Sequence, residues 1–186
     1  MPLTENTLNA FKKGNVFVET GTFMGDGINN ALKAGFQKIY SIEVAQQYIK
    51  LTSERFRKEI EEGIVNIIFG DSKLVMGDVI KNIDEPITFW LDAHWDYGPG
   101  KGEVYCPLYE ELTFIKNHKL KDHLILIDDM RVIGNTNHHW GKTVQRDRII
   151  ELINEINQDY KIGYTEGDLG PDGGGLRAND ILVASV

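Results

Sequence analysis

Two apolar runs in this chain end in acids. Ile87-Thr-Phe-Trp-Leu leads into Asp92, with His94 two residues beyond, and Leu124-Ile-Leu-Ile leads into the pair Asp128-Asp129. Carboxylates and an imidazole are the side chains that hold hard cations and move protons near neutral pH. A third run, Phe17-Val-Glu19-Thr, ends in a glycine-spaced turn with Gly21, Gly25 and Gly27. Glycines at such a turn supply backbone angles closed to other residues and let the main chain approach a ligand. The spacing G-x-x-x-G-x-G is not the dinucleotide G-x-G-x-x-G, and it lacks the Lys-Ser/Thr ending of a phosphate loop. Ordinary NAD or ATP binding is therefore disfavoured. An acid ahead of the first glycine suits a ligand with positive charge better than it suits a pyrophosphate.

These residues need elements to carry them. β-branched and aromatic runs predict strands at 16–19, 38–43, 65–69, 87–92 and 123–128, alternating with helices near 26–34, 45–60, 73–82, 106–117 and 143–158. In the last helix Val144, Ile149, Leu152, Ile153 and Ile156 fall on one apolar face. Strand and helix in alternation read as a mostly parallel α/β sheet covered on both faces. The C-terminal part changes character: 160–165 and 180–186, joined through Gly173-Gly-Gly175, read as an antiparallel pair. Long loops at 95–105, 132–142 and 166–179 are left to contact a substrate, since only about 14 residues precede the first strand.

Composition narrows the function classes. The 186 residues, 41% hydrophobic and 26% charged, suit one globular domain spanning 1–186. No apolar run approaches membrane-spanning length and the first residues lack the order of a signal peptide, so a cytoplasmic protein with no membrane contact is expected. The lone Cys106 can form no internal disulfide. A net charge of −8 gives no broad footprint for nucleic acid, which leaves a small molecule as the expected partner. A homo-oligomer is compatible with this reading.

Glu19-Thr-Gly-Thr-Phe-Met-Gly-Asp-Gly27 resembles the first motif of the catechol O-methyltransferase-like branch of class I S-adenosylmethionine (SAM) dependent methyltransferases. The resemblance covers nearly the whole chain. It implies a Rossmann-like, mostly parallel seven-stranded sheet with a C-terminal antiparallel hairpin and helices on both faces. It also implies that Glu19, Gly21, Thr22, Phe23, Gly25 and Asp26 meet SAM. A carboxylate about 20 residues beyond the glycine turn can accept two hydrogen bonds from ribose, which assigns that role to Glu43, followed by Val44. Asp71 and Ser72, after the third strand, would meet the adenine; Asp71 equally suits an N-cap of the next helix. Asp92 would also touch the cofactor.

In the strand order of that family the fourth and fifth strands are neighbours, so Asp92, Asp128 and Asp129 converge. Three close carboxylates repel one another unless a proton or a cation intervenes, and hard oxygens suit magnesium or manganese. The arrangement resembles metal-dependent O-methyltransferases of catechols and antibiotic sugars, in which the metal binds two adjacent substrate hydroxyls. Catechol-type enzymes end the fifth strand in Asp-Asn, unlike Asp128-Asp129. The sugar branch has an aspartate where this chain has His94, which can serve as general base or as a further ligand. The expected activity is O-methyl transfer to a small hydroxylated acceptor, a sugar or catechol-like ring. The alternatives are a non-catalytic SAM-binding protein of the same fold and a metal-independent enzyme using His94 as base. No Asn/Asp-Pro-Pro-Tyr segment follows the fourth strand, which argues against methylation of nucleobase amines. Trp90 is expected in the core, Cys106 as a small apolar residue, His138 and His139 on a loop surface, and Trp95 and Tyr97 against a substrate ring.

Overall fold

A computed structural model describes residues 3–94, 104–168 and 175–186. Trp95, Tyr97 and most of the loops at 95–105 and 166–179 lie outside the described residues. Seven strands form one sheet: β1 (Val16–Thr20), β2 (Lys38–Glu43), β3 (Val65–Phe69), β4 (Ile87–Leu91), β5 (Leu124–Ile127), β6 (Lys161–Asp168) and β7 (Leu176–Ser185). Their order is β3-β2-β1-β4-β5-β7-β6. The first five are parallel, while β7 runs antiparallel to both β5 and β6. The fold expected from the resemblance is the fold observed.

Burial follows from that order. Every residue of the central strands β1, β4 and β5 is buried, whereas the edge strands β3 and β6 are mixed. Strands covered on both faces read as continuous apolar runs, which is why Ile87-Thr-Phe-Trp-Leu and Leu124-Ile-Leu-Ile are legible in the sequence. On one face Val18, Phe89, Leu91 and Ile127 pack under helices α5 (Ser72–Ile80), α6 (Leu108–Asn117) and α7 (Arg146–Ile156). On the other, Phe17, Trp90 and Leu126 pack with α1 (Glu5–Phe11), α2 (Asp26–Lys33) and the helix pair α3 (Gln46–Arg55) and α4 (Arg57–Glu61). Trp90 is fully buried, as expected of a core residue.

The helices differ from expectation in two places. Residues before β1 form α1, capped by Thr4, whose hydroxyl accepts from the Thr7 amide at 3.1 Å. The seven-residue helix is too short to show a helical period and holds only Leu8 buried. The segment at 45–60 breaks at Phe56, which leaves helical geometry (φ −112°, ψ 28°) and buries its ring against Gly25.

Strand β1 has β2 on one side and β4 on the other. The connections leaving β1 and β4 therefore run to opposite faces, opening a crevice at the carboxyl ends of the strands. At its floor Gly21 (φ +85°) donates its N–H to Ile42 O at 2.9 Å, and a Cβ there would lie 2.6 Å from the Asp92 carbonyl oxygen. Gly21→Ala should destabilise the fold by about 2 kcal/mol or more, through the left-handed angle and displaced backbone together. Urea denaturation would test it, and an unchanged midpoint would contradict this account of the turn.

Candidate active site

Glu19 and Glu43 sit on opposite sides of the glycine turn and play different parts. Glu19 is fully buried; its Oε1 accepts from Ser41 Oγ at 2.6 Å while Oε2 is buried without a hydrogen-bond partner among the described residues. Burial pushes its carboxyl up to about 8, against the lowering effect of Ser41. Thr22 is also buried and shares a 2.5 Å contact with Ser41 Oγ, so its hydroxyl faces the sheet and not the crevice. Glu43 holds the turn itself: Oε2 accepts from the Phe23 amide at 2.9 Å and Oε1 from the Ala45 amide at 2.7 Å. Phe23 has φ +46° and remains exposed, its ring edge-on to Tyr48 at 4.8 Å. Gly25 (φ +84°) caps α2, and Val44 is half-buried after β2. Asp26, the first residue of α2, pairs with Arg55 at 3.0 Å.

At the end of β3, Asp71 caps α5 by accepting from the Lys73 amide at 3.1 Å, and Ser72 is buried behind it. The exposed side chains of Phe69 and Leu74 flank this cap and offer an apolar surface at the crevice. Sequence reasoning missed Glu111 of α6. It is fully buried, with Oε1 lacking a partner among the described residues, and burial pushes it up to about 7 against the hydroxyls of Ser72 and Thr20. It was hidden because Leu108-Tyr-Glu-Glu111-Leu reads as an ordinary amphipathic helix start.

The acids after β4 and β5 do converge, because these strands pair in register from Thr88↔Leu124 to Leu91↔Ile127. His94 stands between them. Its Nδ1 is 3.3 Å from Asp92 Oδ1 and its Nε2 is 2.5 Å from Asp129 Oδ2. The ring stacks on Trp140 at 4.5 Å and 24°. Asp129 adopts φ +58°, and its N–H donates to Asp128 Oδ1 at 2.6 Å. The acids that approach one another within 4.8 Å are Asp128, Asp129 and Asp180, the last from β7. Asp92 belongs to the same patch through His94 and Asp128.

Asp180 and Arg131 are the residues the sequence concealed. Arg131 Nη1 pairs with both Asp129 and Asp180, and its amide donates to Asp180 Oδ1 at 3.2 Å. Asp180 lies 51 positions beyond Asp129, in a strand whose direction and register only the folded sheet specifies. Among the described residues, four carboxyls thus share one guanidinium and one imidazole. Burial and the neighbouring acids push Asp128 well above the ordinary range, and burial raises Asp92 to about 6 against His94. For Asp129 the burial effect is overcome by His94 and Arg131, which hold it below that range. Even with His94 protonated, two negative charges remain for protons or a cation to meet.

Other expectations are resolved by packing. Trp140 is buried and walls the site through His94, while His138 and His139 are half-buried beside it rather than on an exposed surface. Cys106 packs, partly buried, against the core beside the site, and burial pushes its thiol up to about 12.

The strand order β3-β2-β1-β4-β5-β7-β6, with β7 antiparallel to its neighbours, is that of the class I methyltransferase fold. Solved structures share it at low identity. SMU.1697c from Streptococcus mutans, solved with SAH, superposes with a TM-score of 0.62 at 12% identity over 97% of this chain and 94% of its own. The O-methyltransferase TomG from Streptomyces achromogenes, involved in tomaymycin synthesis and solved with SAM, gives 0.62 at 12% over 98% and 77%. An O-methyltransferase from Bacillus cereus in complex with SAH gives 0.61 at 12% over 98% and 78%. No protein-family model matches the sequence, and neither does any curated protein. No helix among the described residues is long and apolar enough to cross a membrane.

The buried Glu19 has a consequence for stability. Its carboxyl titrates near 8 when folded and near 4.5 when exposed, so between these values the folded state holds a proton that the unfolded state has lost. Stability should therefore decline as pH rises from 4.5 to 8. Glu19→Gln should flatten that slope and raise stability at pH 8 by a few kcal/mol, on the order of the linkage for such a shift. Denaturant midpoints across this pH range would show it; parallel curves for the two proteins would count against a protonated Glu19.

Proposed function

We propose that this protein is a SAM-dependent O-methyltransferase acting on a hydroxyl of a small acceptor, a sugar or catechol-like ring, assisted by magnesium or manganese. The observation that carries the reading is the excess of buried carboxylates at the carboxyl ends of β4 and β5, beside a glycine turn closed by Glu43. The residues fit the cofactor. An ionised carboxylate offers about four lone-pair sites, and Glu43 uses one on each oxygen, leaving one on each for ribose hydroxyls. Phe69 and Leu74 suit an adenine ring, with the Asp71–Ser72 turn at its edge. The Oε2 of Glu19, without a partner among the described residues, suits the positively charged aminoacyl end. Thr22, Phe23, Gly25, Asp26 and Val44 complete the turn around it.

The acid patch fits a hard divalent cation. Asp92, Asp128 and Asp129 would hold it, while both oxygens of Asp180 are taken by Arg131. A bound cation would supply Lewis acidity that makes an acceptor hydroxyl easier to deprotonate. SAM would supply a methyl group on a good leaving group, so the protein has to align the acceptor oxygen, exclude water and remove one proton. His94 suits the proton step: Trp140 fixes its ring plane, and Asp92 and Asp129 bracket its two nitrogens. The same bracket favours a second reading, in which His94 works as base without any metal.

Calorimetry with SAH tests the cofactor site, and the absence of binding would end the methyltransferase reading. Methyl transfer from SAM to a panel of vicinal diols should vanish in chelator and return with magnesium. Full activity in excess chelator would favour the metal-independent reading instead. Asp128→Asn should weaken metal binding more than SAH binding. His94→Ala should lower turnover by roughly 100- to 10,000-fold with SAH affinity retained; a fall below about tenfold would remove it from the proton step.

A further inference from the structure

An open cavity of about 400 Å³ lies between the segment after β5 and the start of α7. Arg131 and Arg146 both line it, together with Asn135, Gln145 and Asp147. The two arginines are differently placed. Arg131 is anchored on its far side by Asp129 and Asp180 and keeps 38% of its side chain exposed. Arg146 donates from Nε to Ile133 O at 3.2 Å and from Nη2 to Met130 O, and no carboxylate pairs with it among the described residues. A guanidinium carries five N–H donors, so at least three on Arg146 remain for a ligand. Its carbonyl contacts hold the fork rigid without neutralising it. The cavity is also lined by Gln145 and by the first residues of α7, at that helix's N-terminal end. The opposing charge is Asp147, exposed in that first turn. In a chain of net charge −8, two guanidinium forks opening into one cavity stand against the general field.

We propose that this cavity is a subsite for an anionic group of the acceptor, a phosphate gripped by Arg146 and Arg131 beside the first turn of α7. Planar forks match phosphate oxygens two at a time, which sets orientation as well as affinity. Arg131 touches Asp129 on one side and the cavity on the other, so an acceptor anchored here presents its hydroxyls to the acid patch one side chain away. The inference rests on the hydroxyl-methylating reading of that patch and adds to it the class of acceptor: a phosphorylated, polyhydroxylated small molecule.

The test is calorimetric titration of inorganic phosphate into the whole protein, with acetate as a second probe and SAH titrated in parallel. Phosphate should bind with a dissociation constant on the order of 1 mM. Arg146→Gln should weaken it about tenfold or more, as expected on losing charge-assisted bonds. Asp147→Asn, which removes the opposing charge, should tighten it about threefold, a gain that no loss of fold can mimic. SAH affinity should be the same in all three proteins. Methyl transfer to matched monosaccharides with and without a phosphate should favour the phosphorylated one, and Arg146→Gln should erase that preference through KM. No phosphate binding, equal affinity in all three proteins, or acetate binding as tightly as phosphate would overturn the proposal. Phosphate binding of the expected pattern without SAH binding would leave the subsite standing and remove the methyltransferase reading.

Discussion

The site depends on the packing of the turn after β1 against the end of β4. Gly21 lies under the Asp92 carbonyl with no space for a side chain, and its amide is tied to Ile42 of β2. Three strands are thereby locked at their carboxyl ends, where the chain has to open a crevice and stay rigid. Glu43 completes the lock from β2 by accepting amides on both sides of the crevice floor. The glycine spacing is thus a steric requirement first.

Electrostatics governs the other half of the site. Removing four carboxyls from water is unfavourable unless each finds a proton, a hydrogen-bond donor or a cation. The chain supplies a donor to Asp128 from its neighbour's amide, a guanidinium to Asp129 and Asp180, and an imidazole between Asp92 and Asp129. The supply falls short of the demand, and burial with the neighbouring acids accordingly pushes Asp128 well above the ordinary range. Stacking on Trp140 gives His94 a fixed plane within that field, so its nitrogens are aimed rather than mobile. Arg131 borders both this patch and the cavity beside α7, and with His94 it holds the Asp129 carboxyl below the ordinary range.

Much of this was legible before any coordinates. Alternation of apolar runs with amphipathic segments located the five parallel strands, the change of character after residue 160 located the antiparallel pair, and the runs of β1, β4 and β5 were clearest because those strands are buried on both faces. Acids at the ends of such runs stood out because an ionisable group there lies at the sheet's carboxyl edge. Elements with weak periodicity were less visible: α1 is too short to show a period, and the break at Phe56 comes from its contact with Gly25 across the chain.

What the sequence determined by itself was the set of local patterns: the strand runs, the glycine turn, Glu43 and the acids after β4 and β5. Each of these is encoded within a few neighbouring residues. Only the tertiary structure decided which of them meet, and with what charge. Asp180 reaches Asp128 and Asp129 because β7 inserts antiparallel beside β5, and the Glu111 carboxyl is pushed up to about 7 because α6 buries it beside Ser72 and Thr20. Asp71 serves as a helix cap, and Thr22 turns inward to Ser41. The physical reason is common to all four: a side chain's partners and its desolvation are set by residues distant in sequence, and no local pattern records them.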